Sequence, residues 1–291
     1  MTTPVVSDAA LLDLTRHIAV MAIVNRTPDS FYDRGATFAL DAAVAAGVAA
    51  VEHGAEIVDV GGVKFAPGPP VPAEEEIARV VPVVRELAPI VAVSVDTFLP
   101  EVARAAIEAG AAIINDTTGL HDPAMADVVA EGGATIVIAH SRATPRTQFP
   151  QPHYDDITCE IAEFLVDRRA LALSRGVPPE HIILDPGHDL NKNTAQSLEL
   201  TRRLGELTHL GAPLLVALSN KDFIGETLAR DRGDRVAGSI SAAVVGALKG
   251  ARIVRTHNVR QTVDALRMVE AVLGWREPAY LVHNMRAEGN D

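Results

Sequence analysis

Ala19-Val20-Met21-Ala22-Ile23-Val24-Asn25-Arg26-Thr27-Pro28-Asp29-Ser30-Phe31 is the stretch on which the reading of this chain turns. An unbroken apolar run stops abruptly at a cluster of polar and turn-forming residues. A strand with one face in water alternates polar with apolar side chains, whereas a strand covered on both faces, as in a parallel sheet wrapped by helices, is apolar throughout. Residues 19–24 are of the second kind. The segment therefore reads as a buried strand that delivers Asn25 and its neighbours to one end of a sheet.

The same unit recurs along the chain. Apolar runs at 56–60, 90–95, 112–114, 134–139, 182–184, 213–218 and 252–254 each give way to polar or glycine-rich residues. Helical spacing fills the intervals. Residues 37–53 close at Gly54, 72–87 carry Glu74, Glu75 and Glu76 in a first turn whose dipole favours acids, and 101–109 lie between Pro100 and Gly110. Further helices are expected at 123–130, 157–174, 194–207 and 235–249, and 141–155, with three prolines and no periodicity, as a long loop. Eight parallel strands with right-handed helical crossovers close into a barrel and leave no edge. A doubly wound open sheet would need a switch point with a Gly-rich dinucleotide turn, and no G-x-G-x-x-G follows any of these strands. The expected fold is α/β, a single (β/α)8 TIM barrel. It is expected as one domain over 1–291, with a core at about 15–275 and extensions at 1–14 and 276–291.

Composition narrows the function classes. With 48% apolar and only 4% aromatic residues, the core is built from small branched side chains, as is ordinary for an α/β enzyme. The net charge of -12 and the lack of a Lys/Arg block leave no source for attraction to a phosphate backbone, so nucleic acid is excluded as a partner. Cys159 is the only cysteine; no intrachain disulfide forms, and a packed thiol in a reducing compartment is expected. Residues 1–8 lack a basic segment followed by an apolar one, and no run reaches the ~20 residues that cross a bilayer. The expectation is a cytoplasmic protein with no membrane partner.

In barrels of this kind the carboxyl ends of the strands and their following loops form the active face. Asn25, Asp59, Asp96, Asn115, His140, Asp185, Lys221, Arg255 and His257 fall there. Any one of them is ordinarily a turn-former or cap. Gathered on one face they make a site. Buried carboxylates and amides beside a lysine suit a planar heterocycle, each of whose donors and acceptors must be paired once water leaves. Arginine and histidine suit an oxyanion such as phosphate. No H-x-x-x-H helix, thiolate zinc pattern, P-loop or G-x-S-x-G is present.

Asn25 through Phe31, Ser94-Val95-Asp96-Thr97, Ile113-Ile114-Asn115-Asp116, Asp185-Pro186-Gly187, Lys221 before Phe223-Ile224-Gly225, and Arg255-Thr256-His257 resemble the signature segments of the dihydropteroate synthase family. The match runs in register over nearly the whole chain. It implies a pterin-binding TIM barrel of the transferase family of folate biosynthesis, which joins 6-hydroxymethyl-dihydropterin pyrophosphate to p-aminobenzoate and releases pyrophosphate. By that resemblance Asp96, Asn115, Asp185 and Lys221 bind the pterin, and Asn25, Arg255 and His257 face the pyrophosphate, Asn25 through Mg²⁺. No cofactor is required beyond Mg²⁺ carried by pyrophosphate. A small-molecule pterin is the implied partner, in a homodimer to which the apolar helices at 239–248 and 263–273, with Trp275, offer an interface.

The match breaks at three loops. After the second strand the family has Gly-Gly-Glu-Ser-Thr-Arg-Pro-Gly, and this chain has Gly61-Gly62-Val63-Lys64-Phe65-Ala66-Pro67-Gly68. After the sixth, Asp-Pro-Gly, an apolar residue, then Gly-Phe-Gly-Lys becomes Asp185-Pro186-Gly187-His188-Asp189-Leu190-Asn191-Lys192, and Leu190 replaces the aromatic that would stack on the aryl amine. After the seventh, Ser-Arg-Lys-Ser becomes Ser219-Asn220-Lys221-Asp222, where the Asp222 carboxylate is expected to repel a benzoate. Ala139 stands where the family has a methionine against the pterin.

Neutral drift scatters substitutions over loops. Here Val63, Lys64, Phe65, Ala66, His188, Asp189, Leu190, Asn220 and Asp222 all fall on the second-substrate side, and at ~1.5–3 kcal/mol per charge-assisted hydrogen bond their loss removes several kcal/mol of binding. The expected function is that of an inactive paralogue, dihydropteroate-synthase-like, that has lost p-aminobenzoate recognition and has little or no synthase activity. No catalytic residue is assigned. Two alternatives stand beside it: an active transferase that uses p-aminobenzoate or another acceptor, with Lys64, His188, Asp189 and Asp222 forming a new polar pocket, and a non-catalytic pterin-binding or scaffold protein.

Overall fold

The computed structural model describes residues 13–26, 39–63, 67–143, 146–147 and 151–284. Outside them lie 27–38 and 64–66, hence Lys64, Phe65 and Ala66, and 1–12 and 285–291 of the expected extensions. Eight strands are present: β1 (Ala19–Asn25), β2 (Ile57–Gly61), β3 (Ala92–Asp96), β4 (Ile113–Asp116), β5 (Thr135–Ala139), β6 (Ile182–Asp185), β7 (Leu215–Val216) and β8 (Ile253–Thr256). They pair in parallel in the order β6-β5-β4-β3-β2-β1-β8-β7. Leu184 bridges Leu214, with its N–H 3.0 Å from the Pro213 carbonyl, and so β6 meets β7. The ring is a TIM barrel, as expected.

Between the strands run α1 (Leu40–Glu52), α2 (Ala73–Leu87), α3 (Pro100–Glu108), α4 (Ala124–Gly132), α5 (Ile157–Ser174), α6 (Thr194–Arg203), α7 (Asp222–Leu228) and α8 (Val236–Leu248), with α9 (Val259–Val272) after β8. Two features differ from expectation. The seventh strand is two residues long; at its start Pro213 has no N–H for the ladder, and its carbonyl and Leu214 meet β6 through a single bridge. The helix α7 directly after it was not expected; its seven residues are too few for a periodic signal.

Side-chain direction along each strand decides what reaches the site. Val20, Ala22, Val58, Val60, Val93, Val95, Ile114, Ile136, Ile138, Leu184, Val216 and Val254 face outward and pack with the helices. The alternate positions Ala19, Met21, Ile57, Ala92, Ile113, Val137, Ile183, Leu215 and Ile253 form a second apolar cluster that fills the barrel. Two residues further along β2, β3, β4, β6 and β8, on the same inward face, the chemistry changes from apolar to polar: Ile57 to Asp59, Ala92 to Ser94 and then Asp96, Ile113 to Asn115, Ile183 to Asp185, Ile253 to Arg255. A dry plug thus supports a polar layer.

The amino-terminal end of the barrel is tied by charge. Glu270 Oε1 accepts from Ile18 N–H at 2.8 Å and Arg267 at 2.7 Å and lies 3.0 Å from His17 Nδ1. Glu56 accepts from Val20 N–H and from Arg267. At the other end Arg26 reaches the Ala78 carbonyl at 3.2 Å, which Pro82 inside α2 deprives of its helical N–H. No helix among the described residues is long and apolar enough to cross a membrane. Cys159, expected as a packed thiol, is exposed. Ile157, Ile161 and Leu165 define the buried face of α5, and Cys159 lies half a turn away from it.

Candidate functional site

The inward polar layer is organised around Asp59, which has no exposed surface. Its Oδ1 accepts from Ser94 Oγ at 2.6 Å, and its Oδ2 from Arg255 Nε at 2.6 Å and Asn115 Nδ2 at 3.3 Å. Arg255 extends a second arm to Asp96 Oδ2 at 3.0 Å. The guanidinium expected to face pyrophosphate is therefore held by two carboxylates across the barrel mouth. Burial works against its charge, but Asp59 and Asp96 outweigh burial and raise its pKa further.

Asp96 shows the reverse balance. Burial pushes its pKa up to about 7, Arg255 only partly offsets that, and Asp59, Glu76 and Asp116 add to the rise. Glu76, enclosed at the start of α2, is likewise raised by burial to about 7, and its Oε2 has no partner. Asn115 also leaves one buried oxygen, Oδ1, unpaired. Asp185 accepts from the Gly187 N–H at 2.8 Å; burial raises its pKa, opposed by that bond and by the charges of Lys221, Lys192 and Arg255. Lys221 sits at the residue before α7. Asn25 ends β1, and His257 follows β8, its Nδ1 3.1 Å from Ser219 Oγ.

His140 does not join this group. It continues the outward series of Ile136 and Ile138, so its ring stacks edge-on against Phe164 of α5 at 4.8 Å between centroids. Lys192 Nζ reaches it there, 2.9 Å from Nδ1, and donates also to the carbonyls of Gly187 and Leu190 at 2.8 and 2.9 Å. Burial and neighbouring cations bring His140 down to about 2, and burial brings Lys192 to about 7. Lys192 thus fastens the β6 loop to His140, and its charge also reaches Asp185. A side chain at Gly187, where φ is +68°, would collide with the His140 carbonyl, so that turn tolerates only glycine.

The residues that depart from the family pattern are engaged with the chain itself. Asp189 Oδ2 accepts from the Asp222 N–H at 2.6 Å and so caps α7 from another loop, while its Oδ1 lies 3.2 Å from Ser197 Oγ. Asp222 does not present a free charge, contrary to expectation. It pairs with Arg235 at 2.9 Å and faces Arg232 at 3.5 Å; burial raises its pKa but the two arginines outweigh that and hold it low. His188 is 1% exposed, tilted against Phe223, with both ring nitrogens unpartnered. Burial, with Lys192 and Lys221 nearby, lowers it to about 3 and keeps it neutral. Asn220, at φ +61°, leaves a buried Oδ1 unpaired, Leu190 is half-buried, and Val63 follows Gly62 at the edge of the described loop.

Asp59 falls at the mouth by sequence with no role assigned to it; its partners come from three other strands, β3, β4 and β8. Asn191 was not singled out, although its Oδ1 accepts from Ser141 Oγ, Arg142 N–H and Ala143 N–H at 2.9, 2.7 and 2.9 Å. Among the described residues no three His, Cys, Asp or Glu side chains converge as a metal cage. A depression of about 830 Å³ bordered by Asp13, Thr208, Lys249 and Arg252 lies at the opposite end of the barrel, away from all these groups.

A family model described as "Pterin binding enzyme" matches residues 21–257. The "Inactive dihydropteroate synthase 2" of Mycobacterium tuberculosis is 44% identical over 290 residues, covering 97% of this chain and 89% of that protein. The dihydropteroate synthase of Escherichia coli K12 is 40% identical over 269 residues, covering 91% of this chain and 95% of the enzyme. Among solved structures, the Xanthomonas albilineans dihydropteroate synthase with 4-aminobenzoic acid superposes with a TM-score of 0.81 at 42% identity, over 88% of this chain and 93% of that one. The chain belongs to the dihydropteroate synthase family of pterin-binding enzymes.

Proposed function

We propose that this chain is a pterin-binding paralogue of dihydropteroate synthase that does not condense the pterin with p-aminobenzoate. One observation carries the reading: the two halves of the barrel mouth have been treated differently. In the deep half Asp96, Asn115, Asp185 and Lys221 remain, with Asn115 Oδ1 unpaired and available to a ligand donor. On the other side Asp189 and Asp222 stand where the family pattern has glycine and serine, and both are taken up by internal partners.

Inward carboxylates that burial holds near or above their usual range suit the donor edge of an amino-pyrimidine, accepting its N–H groups once water is displaced. Arg255 and His257 would face the pyrophosphate, with Arg255 exchanging the Asp96 carboxylate for phosphate oxygens. Mg²⁺ would arrive with the pyrophosphate and meet Asn25, and no resident cofactor is needed. Of the residues expected to build a replacement acceptor pocket, Asp189 and Asp222 are already paired within the chain. The relative named inactive and the E. coli synthase match at similar identity. The altered acceptor side favours likeness to the former. A homodimer is proposed through α8 and α9, whose Leu248, Met268 and Val272 are exposed.

The test is pyrophosphate release by the purified protein given the pterin pyrophosphate and p-aminobenzoate, beside the E. coli synthase. No release above background is expected. Sustained turnover, or rescue of a strain lacking its synthase, overturns the proposal.

A further inference from the structure

The β6 loop carries two residues in the left-handed region that are not glycine, Asp189 at φ +63° and Asn191 at φ +54°. Non-glycine residues rarely adopt that conformation, and Asp and Asn are the types that tolerate it best. Glycine at such positions gives a loop freedom and no side-chain contacts. Here the same backbone carries two short polar side chains, and each of them fastens the loop to a neighbour. Asp189 holds the first N–H of α7 and Ser197. Asn191 gathers Ser141, Arg142 and Ala143 of the loop after β5, and Tyr154 donates to its carbonyl at 3.1 Å. Leu190 stands between the two, its N–H on the Gly187 carbonyl at 3.0 Å and its own carbonyl on Lys192 Nζ.

We infer that Asp189 and Asn191 are the specificity-determining residues of the acceptor side: they pin the β6 loop to the β5 and β7 loops in one shape, and this pinning excludes an aryl amine. The inference rests on the reading that p-aminobenzoate is not a substrate, and adds its cause. Loss of an aromatic at 190 removes an attraction, whereas a loop held at both flanks cannot move to admit a planar ring. Restoring the aromatic alone therefore does not restore binding. Both flanking positions must be released as well, so the substitutions are non-additive.

The experiment compares the unsubstituted full chain with L190F, D189G/N191G, D189G/L190F/N191G and the conservative pair D189N/N191D. Glycine suits both backbone positions, so the glycine variants lose the pins without straining the turn. Amide exchange is followed at Arg142, Ala143 and Asp222, whose N–H groups bond to the two side chains. About tenfold faster exchange is expected in both variants that carry the two glycines, with no change in L190F or D189N/N191D. Binding of p-aminobenzoate with saturating inorganic pyrophosphate is read by ligand-observed NMR. Only the triple variant is expected to give a signal.

The inference is overturned if L190F binds as well as the triple variant, if exchange in the glycine variants is unchanged, if D189N/N191D exchanges as fast as D189G/N191G, or if the triple variant stays silent although its exchange has accelerated. Turnover of p-aminobenzoate by the unsubstituted protein would instead remove the underlying reading, and it is seen in a separate assay.

Discussion

Arg255 Nε donates to Asp59 Oδ2 at 2.6 Å, joining the inward faces of β8 and β2 across 196 residues of sequence. Among the described residues Asp59 has no other cation, while Arg255 keeps a second bond to Asp96. Removing the deeper carboxylate should unbalance the whole polar layer. Asp59→Asn is expected to cost about 2–3 kcal/mol, below the ~3–5 for a fully broken buried pair because Asp96 remains. At roughly 2–4 °C per kcal/mol for a chain of this size, calorimetric Tm should fall by about 5–10 °C. An unchanged Tm would show that the pair holds nothing together.

The buried titratable groups oppose one another across mildly acidic pH. Glu76 and Asp96, raised by burial to about 7, bind protons in the fold that they release when unfolded, so their contribution is full below the unfolded pKa and is lost as pH rises through 7. His188, lowered by burial to about 3, does the reverse: its contribution is lost as pH falls below its unfolded value. Glu76→Gln should make stability rise with pH between about 4.5 and 6.5, relative to the unsubstituted protein, by up to ~1.4 kcal/mol per unit. His188→Phe should tilt the profile the other way and, by removing two unpartnered buried nitrogens, raise stability at neutral pH by about 1–2 kcal/mol. Denaturant midpoints measured across pH check both. Parallel profiles for all three proteins would show that these groups are not held as described.

Glu270 offers a control at the far end of the barrel. It is 1% exposed and accepts from Ile18 N–H and Arg267. Glu270→Ala takes the side-chain acceptor from the buried Ile18 N–H and leaves Arg267, among the described residues, with Glu56 as its one remaining carboxylate, and should cost about 3 kcal/mol. Pterin affinity measured below the new Tm should be unchanged, because the dry interior plug separates this network from the mouth. Affinity that falls with stability would mean that the two ends are coupled.

Association is expected through α8 and α9. Met268 is 63% and Val272 72% exposed on α9, and Leu248 at the end of α8 is also in solvent. Light scattering should give twice the chain mass for the unsubstituted protein and the chain mass for M268E/V272E, with unchanged circular dichroism. A monomer in the first case removes the homodimer.

Much of this was legible in the sequence, and the misses have identifiable physical causes. Continuous apolar runs announced buried parallel strands, and their polar endings marked the mouth. His140 falls at the mouth when its run is read only to its end; stepping in twos from Ile136 through Ile138 places it outward, where Phe164 receives it. Cys159 lies two residues from Ile157 and Ile161, off the buried stripe of α5, so its exposure was also open to a periodic reading. The partners of Asp222 were not. Arg235 lies thirteen residues away beyond a short helix that leaves no pattern. Asn191 passed unnoticed because its three bonds depend on the left-handed backbone that places Oδ1 beneath the loop after β5.

A mouth that keeps its pterin half and closes its acceptor half is tested most directly by one sequential calorimetric titration. The pterin pyrophosphate is added first, and p-aminobenzoate is then added to the loaded protein. Heat and a saturating isotherm are expected in the first stage, with no heat beyond dilution in the second. A silent first stage, or a second stage that evolves reaction heat with release of pyrophosphate, would contradict it.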